Sequence, residues 1–187
     1  MKLNGLKPDP AQMLLVIIDV QERMAPAIPE GPLNKLIRYT NIWIEASKEF
    51  NFPVIFTEQY PKGLGATIPE IRSSLAGIEP VEKISFSCCG EAEFTRALKA
   101  SKARQVVICG METHVCVYQT ALDLLEDGIQ VYLPADAVCS RSKFNWKNGL
   151  NLMQHAGAVV GNTETFIFQL LEEAGTDRFK KFSKLFR

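Results

Sequence analysis

The sequence has little of what several classes of protein require. It contains two histidines and five cysteines, and no pair of cysteines has the Cys-x-x-Cys spacing. Irregularly spaced cysteines in odd number predict neither a disulfide framework nor a structural zinc site. Lys plus Arg and Asp plus Glu both number 21, so the formal net charge is zero. Because nucleic-acid-binding domains need a basic excess, no nucleic-acid partner is predicted.

Long apolar runs are also missing. The longest run near the N-terminus, 13–18, is far too short to cross a bilayer, so no membrane partner is predicted. The opening MKLNGLKPDPAQ lacks the apolar core of a secretory signal. With the cysteine pattern, this predicts a cytoplasmic protein. No GxGxxG fingerprint opens the helix after the first strand, and no cofactor is predicted.

What the chain does contain is an alternation of short β-branched runs with helical patterns. At 187 residues, 47% of them hydrophobic, 1–187 is predicted to be a single domain. Runs that are apolar on both faces indicate an α/β fold with a mostly parallel, doubly wound sheet, covered by helices on both faces. The predicted strands are 14–19, 53–58, 80–84, 105–110, 129–138 and 157–161; the predicted helices are 32–50, 69–75, 91–101, 113–127, 143–154 and 164–174.

Loop lengths indicate where a site would lie. The first three strand-to-helix connections, 20–31, 59–67 and 85–90, are long, whereas the helix-to-strand connections are short. Long loops therefore gather at the carboxyl ends of the strands, where open α/β sheets place their sites. Two charged residues reach that edge. Asp19 ends the first strand, and Lys83 shares a face of the third strand with Val81.

Each of these two residues has a structural alternative. Asp19 is equally consistent with a carboxylate that binds loop amides, although its apolar flank, 14–18, favours a functional partner. Lys83 alone is more typical of an edge residue whose ammonium reaches solvent.

Cys116 gives the sharpest signal. Thr113 is a plausible N-cap, which would place Cys116 in the first turn of the following helix. The positive end of a helix lowers the pKa of a thiol, and its free amides can receive an oxyanion. Cys109 lies inside a predicted strand and Cys139 in a predicted loop, so neither thiol is near the positive end of a helix. The alternative is a small buried cysteine that packs under the helix.

Three segments resemble the isochorismatase-like cysteine hydrolase family, which includes nicotinamidases. They are LLVIIDVQERM (14–24), EKISFSCC (82–89) and VVICGMETHVCVYQTALDLLEDGIQVYLPADAVCSRS (106–142). The resemblance implies a three-layer Rossmann-like fold of about six strands in the order 3-2-1-4-5-6. It also implies a homo-oligomer, a dimer or larger, and a small-molecule substrate.

Catalytic roles follow from the same resemblance. Asp19 would be the general base, Lys83 would orient it, and Cys116 would attack a carbonyl carbon. The backbone amides of Glu112 and Cys116 would form the oxyanion hole. A non-proline cis peptide is implied between Met111 and Glu112.

The sequence departs from nicotinamidases where those enzymes bind their metal. Their Asp-x-His motif and further histidines follow the second strand, but 57–70 contains no histidine, and His114 and His155 lie elsewhere. The sequence therefore predicts an amidase-type hydrolase that acts without a metal on a small amide or related carbonyl compound. Five residues are candidate substrate contacts, each equally consistent with a structural role or a subunit contact: Gln21, Met24, Gln59, Tyr60 and Tyr118.

Two other functions stay open on this fold. One is a catalytically idle oligomeric scaffold, and the other is a redox sensor in which Cys88 or Cys89 forms a disulfide with an oxidised Cys116. The C-terminal segment 177–187 interleaves aromatic and basic residues, and we expect it to dock onto its own domain or a sister subunit; the alternative is a helix that lies on a membrane surface.

Overall fold

One mostly parallel sheet organises the chain in the computed structural model, which describes residues 7–187. Neighbouring strands pair in the order β3-β2-β1-β4-β5-β7, and β6 lies beside the end of β4. The strands are Met13–Ile18 (β1), Val54–Gln59 (β2), Val81–Lys83 (β3), Gln105–Met111 (β4), Gln130–Pro134 (β5), Val138–Cys139 (β6) and Val159–Gly161 (β7). All these pairings are parallel.

Helices cover both faces of the sheet and complete the expected three layers. Side chains of α1, α7 and α8 pack on one face, and those of α4, α5 and α6 pack on the other. The helices are Glu30–Phe50 (α1), Pro61–Leu64 (α2), Pro69–Arg72 (α3), Ala92–Ser101 (α4), Tyr118–Glu126 (α5), Lys143–His155 (α6), Thr163–Leu171 (α7) and Asp177–Leu185 (α8). Within residues 7–187, no helix combines the length and the apolar character that crossing a membrane requires.

Strand β1 shows why the central strands read as continuous apolar runs. Leu15 and Ile17 join the core under α1 and α7, whereas Leu14, Val16 and Ile18 join the core under α4 to α6. Successive side chains of a strand point to opposite faces, so a strand covered on both sides must be apolar at every position.

The predicted strand 129–138 is two strands in the structure. After β5 the chain turns, with the amide of Ala137 donating to the carbonyl of Pro134 at 2.9 Å. The side chain of Asp136 accepts from the amide and hydroxyl of Thr163, at the start of α7. This turn carries β6 to the end of β4. The sixth place in the expected order is therefore taken by the seventh strand.

The C-terminal segment docks onto its own domain through α8, a helix that the sequence patterns did not predict. Phe182 is fully buried, and its ring centroid lies 6.1 Å from that of Phe50 in α1. Glu49 accepts from Arg178 and from Lys181, both at 3.0 Å. The alternation of aromatic and basic residues thus reflects one apolar face and a charged edge paired with α1.

We expect Phe182→Ala to lower the free energy of unfolding by about 3 kcal/mol, because it removes a buried ring and leaves a cavity. Phe144→Ala is the matched control, since Phe144 is 77% exposed, and we expect it to change stability by less than about 0.5 kcal/mol. Urea unfolding followed by circular dichroism measures both. Equal losses in the two variants would contradict the docking of α8.

Candidate active site

Asp19 follows β1 with a backbone φ of 52°, in the left-handed region that aspartate tolerates better than most residues. Its side chain is fully buried. One carboxylate oxygen, Oδ1, accepts from the Thr57 hydroxyl at 2.7 Å, and the amide of Asp19 donates to the Thr57 carbonyl at 3.2 Å. Thr57, near the end of β2, therefore fixes both the backbone and the carboxylate of Asp19.

Lys83 reaches Asp19 from the end of β3, across β2. Its Nζ lies 2.7 Å from Asp19 Oδ2, and both side chains are fully buried. The ammonium also donates to Gln59 Oε1 at 2.6 Å and to the carbonyls of Ser85 and Phe86 at 3.1 and 3.0 Å. These oxygens replace the water that the charge loses on burial. The structure excludes the alternative of a lysine that reaches solvent.

Cys116 lies on a wide turn between β4 and α5. Residues Thr113–Val117 form a π-helical turn, with the amide of Val117 donating to the carbonyl of Glu112 at 3.3 Å. The prediction that Thr113 is a helix N-cap was wrong. Its hydroxyl is buried without a hydrogen-bond partner in the described part of the chain, and Glu112 occupies the cap position. Single π turns within helices are frequent at functional sites.

Backbone packing sets the position of this turn. The Met111–Glu112 peptide is cis, as the resemblance implies. Gly110, with a φ of +123°, lies so close to β1 that a Cβ there would be 2.1 Å from the Ile18 carbonyl oxygen. A glycine is therefore required where β4 passes the residue that precedes Asp19.

The thiol of Cys116 is not a resting thiolate, so the prediction of a lowered pKa was wrong. Burial raises the pKa of Cys116 to about 12, and the charge of Asp19 and a hydrogen bond to it raise the pKa further than Lys83 lowers it. Cys116 is 5% exposed. Desolvation is the largest cause of this shift, because burial disfavours the charged thiolate. The arrangement instead places a neutral thiol beside a carboxylate that can accept its proton.

Cys88 lies close to Asp19 and Lys83, and Cys89 follows it in the chain. The Cys88 thiol contacts the Thr57 hydroxyl at 3.9 Å, and burial and the charge of Asp19 raise its pKa to about 12. Burial and Asp123 raise the pKa of Cys89 to about 11. Neither thiol has the low pKa that is typical of redox-sensing cysteines.

Two of the candidate substrate contacts instead organise the loops around Lys83. Gln21 is fully buried, donates to the carbonyls of Gln59 and Gly65, and accepts from the Gln59 amide. The side chain of Gln59 bonds to Lys83 and donates to the carbonyl of Ile84 at 2.7 Å. Both amides are thus engaged with the protein itself.

The other three candidates lie at different depths. Tyr60 is 51% exposed and lines a cavity of about 240 Å³ that also touches Lys83. Met24 and Tyr118 are half-buried and pack against the two opposite cores of the sheet. Of the five candidates, Tyr60 is therefore the one that has exposed surface in a cavity shared with Lys83. The sequence gives no signal for Thr57, which differs from an ordinary strand residue only through its tertiary contacts.

The residues after β2 do not fit the metal site of nicotinamidases. The segment 57–70 has no histidine, and its buried acid, Glu58, accepts from the amide and hydroxyl of Thr67. No group of three or more His, Cys, Asp or Glu side chains within residues 7–187 is arranged to hold a metal ion.

Comparisons with known proteins point to one family. A family model described as Isochorismatase domain matches residues 13–165. The isochorismatase domain-containing protein 2 of Danio rerio is 35% identical over 92% of this chain and 85% of its own length. The secreted isochorismatase effector Isc1 of Phytophthora sojae is 37% identical over 95% of this chain and 86% of its own. A solved structure described as MAR1 ribonuclease from Caenorhabditis elegans has a TM-score of 0.87 at 36% identity, covering 96% and 91%.

The raised pKa of Cys116 makes stability depend on pH. An unfolded thiol ionises near pH 8.5, whereas Cys116 in the folded protein keeps its proton until about pH 12. The contribution of the protonated thiol to the free energy of unfolding is therefore fully present below about pH 8.5 and is lost as the pH rises towards about 12. Between about pH 9.5 and 11, the wild type should lose about 1.4 kcal/mol per pH unit more than Cys116→Ala. Urea unfolding at a series of pH values measures both slopes; equal slopes would mean that the folded thiol ionises normally.

The buried ion pair predicts unequal effects of single and double substitutions. Lys83→Met should lower the free energy of unfolding by about 3–5 kcal/mol, because it leaves the Asp19 charge buried without its partner. The double variant Asp19→Asn with Lys83→Met should lose less than the sum of the two single losses. Lys180→Met, which breaks an exposed pair with Asp177, is the control and should cost under about 1 kcal/mol. Urea unfolding of all four variants tests the pair, and a Lys83→Met loss no larger than the control would contradict it.

Proposed function

The chain belongs to the isochorismatase domain family, and from that premise we propose that it is a cysteine hydrolase acting on a small amide or related carbonyl compound. Cys116 would be the nucleophile, Asp19 the general base, and Lys83 the residue that orients Asp19. The observation that carries the proposal is the Cys116 thiol beside the Asp19 carboxylate, which is itself paired with Lys83 at 2.7 Å.

The chemistry follows from this placement. As Sγ of Cys116 attacks the carbonyl carbon, its proton passes to Asp19, and the backbone amides of Glu112 and Cys116 receive the oxyanion. Collapse of this intermediate returns the proton from Asp19 to the leaving amine and leaves a thioester on Cys116. Water, giving a proton to Asp19, then attacks the thioester, releasing the carboxylic acid and restoring the thiol.

No step in this scheme is assigned to a metal, because the residues after β2 do not match the metal site of nicotinamidases. Turnover that is unchanged by a chelator is therefore the expected behaviour. Tyr60 is the candidate for contact with the substrate, since it lines the cavity that reaches Lys83.

The alternatives receive less support from the site. An idle scaffold has no need for two buried charges, whose desolvation costs several kcal/mol per ion. A redox sensor would also need a reactive resolving thiol, whereas the pKa of Cys88 is raised to about 12 and that of Cys89 to about 11. The ribonuclease name of the worm structure suggests RNA as a substrate, but the zero net charge provides no overall basic excess for RNA.

Self-association belongs to the same proposal. Three exposed apolar side chains, Tyr60, Ile84 and Phe86, follow β2 and β3 at the edge that carries the site. Contact between copies would bury them, and a neutral chain adds little repulsion. A cytoplasmic location also remains a proposal, since one relative is described as secreted.

Alkylation of Cys116 tests whether Asp19 acts as its general base. We expect iodoacetamide at neutral pH to modify Cys116 at least about 100-fold faster than Cys139, because general bases typically contribute a factor of about 10² to 10⁴. Cys139 is the internal control, since burial raises its pKa to about 12 as well. In Asp19→Asn the advantage should disappear. Peptide mass spectrometry at timed intervals gives both rates, and equal rates in the wild type would contradict an activated Cys116.

Turnover tests the reaction class. Among small aliphatic and aromatic amides, we expect at least one that releases ammonia, with kcat/KM reduced at least about 1,000-fold in Cys116→Ala. Cys89→Ala is the matched control, a half-buried cysteine whose pKa is also raised, and should retain activity. An RNA oligonucleotide incubated in parallel should stay intact. Cleavage of RNA that survives Cys116→Ala, with no amide hydrolysed, would overturn the proposal.

A further inference from the structure

A second cavity, of about 440 Å³, lies at the carboxyl edge of the sheet on the side of β5 and β6. Its apolar walls come from the chain around the start of α1 (Pro29 and Pro32), from β6 (Val138) and from α6 (Trp146). None of Asp19, Lys83 or Cys116 lines it. Pockets of about 300–1,000 Å³ with mainly apolar walls are typical of sites for small molecules.

The charged groups of this cavity favour an anion. Lys35 and Lys143 both line it, and neither forms an ion pair within residues 7–187. The one lining carboxylate, Asp136, accepts three hydrogen bonds from Thr163, from its amide at 2.9 and 3.2 Å and from its hydroxyl at 2.7 Å. Asp136 thus binds the start of α7, and among residues 7–187 neither ammonium group has a carboxylate partner.

The aromatic ring in the cavity wall favours a ligand with a flat apolar body. The indole Nε1 of Trp146 donates to the carbonyl of Ala135 at 3.0 Å, which fixes the ring in the wall and satisfies its polar atom. An aromatic ligand gains from contact with such a ring beyond the area that it buries. A carboxylate on that ligand would meet the lysines.

We propose that this cavity binds a small organic anion, with a planar apolar body and one carboxylate, and that the bound anion alters the reactivity of Cys116. This site is separate from Asp19, Lys83 and Cys116, and the proposed binding does not depend on the hydrolase function.

The link to Cys116 runs through the chain that follows β6. Cys139, in the cavity wall, pairs with Met111 of the cis peptide. Ser140, also in the wall, has its hydroxyl 3.1 Å from Nδ1 of His114, a residue of the turn that carries Cys116. The cavity wall therefore contacts directly the chain around the turn that carries Cys116. A bound ligand that displaces the wall would displace this turn as well.

Calorimetry with benzoate tests the binding. We expect benzoate to bind the full chain, whereas benzamide, which lacks the charge, and inorganic phosphate, which lacks the apolar body, should bind at least about tenfold more weakly. The double variant Lys35→Gln with Lys143→Gln should weaken benzoate binding by about tenfold or more. Lys147→Gln is the matched control, an exposed lysine of α6 outside the cavity, and should bind as the wild type does.

Several results would overturn the proposal. They are no benzoate binding, equal binding by the double lysine variant, or phosphate binding as tightly as benzoate. A dimer in light scattering that Lys35→Glu with Lys143→Glu dissociates would assign this face to contact between copies instead.

Iodoacetamide labelling of Cys116, with and without saturating benzoate, tests the effect on the thiol. We expect the labelling rate to change by at least about twofold in the wild type and not in the double lysine variant. Bound benzoate with an unchanged rate would overturn the effect on Cys116. If Cys116 proves unactivated, the hydrolase proposal fails while calorimetry still decides the binding.

Discussion

The ion pair between Lys83 and Asp19 is the interaction on which the site depends. Two charges without solvent exposure lie 2.7 Å apart, and the desolvation of such ions costs several kcal/mol each. The cost is offset because the surrounding oxygens are already in place, from the Gln59 side chain and from the carbonyls of Ser85 and Phe86. The pair therefore ties the ends of β1, β2 and β3 to the loop after β3.

In the proposed reaction, this pair also accounts for a nucleophile whose pKa is raised. When Asp19 takes the proton of Cys116, the negative charge moves from carboxylate to sulfur, and Lys83 remains beside the cluster. The net charge of the cluster is zero before and after the transfer. Burial penalises the creation of charge more than its displacement, so the raised pKa of the isolated thiol does not set the barrier. In the proposed reaction, the pair thus takes the activating role that the sequence-based prediction gave to the helix terminus.

The sequence predicted those features of the fold and the site that depend on the spacing of apolar and charged residues. Alternating strands and helices placed Asp19 and Cys116 at one edge, and the two-residue period placed Lys83 on the face of Val81, where both are buried while Glu82 is exposed. It did not predict the direction of the Cys116 pKa, which depends on burial by other elements. Nor did it find Thr57, because its role is a hydrogen bond to a residue 38 positions away.

The position of the turn that carries Cys116 likewise depends on tertiary contacts and not on sequence pattern. Gly110 permits β4 to pass the Ile18 carbonyl, and Gly149 of α6 lies where a Cβ would be 3.0 Å from the carbonyl oxygen of Thr113. The turn is therefore held between β1 on one side and α6 on the other. At the switch point, Asp19 follows β1 and Cys116 lies on the turn after β4, and these backbone contacts set the position of that turn. A bulkier residue at either glycine would move the Cys116 thiol relative to the Asp19 carboxylate, so the geometry of the proposed proton transfer depends on backbone packing as well as on the two side chains.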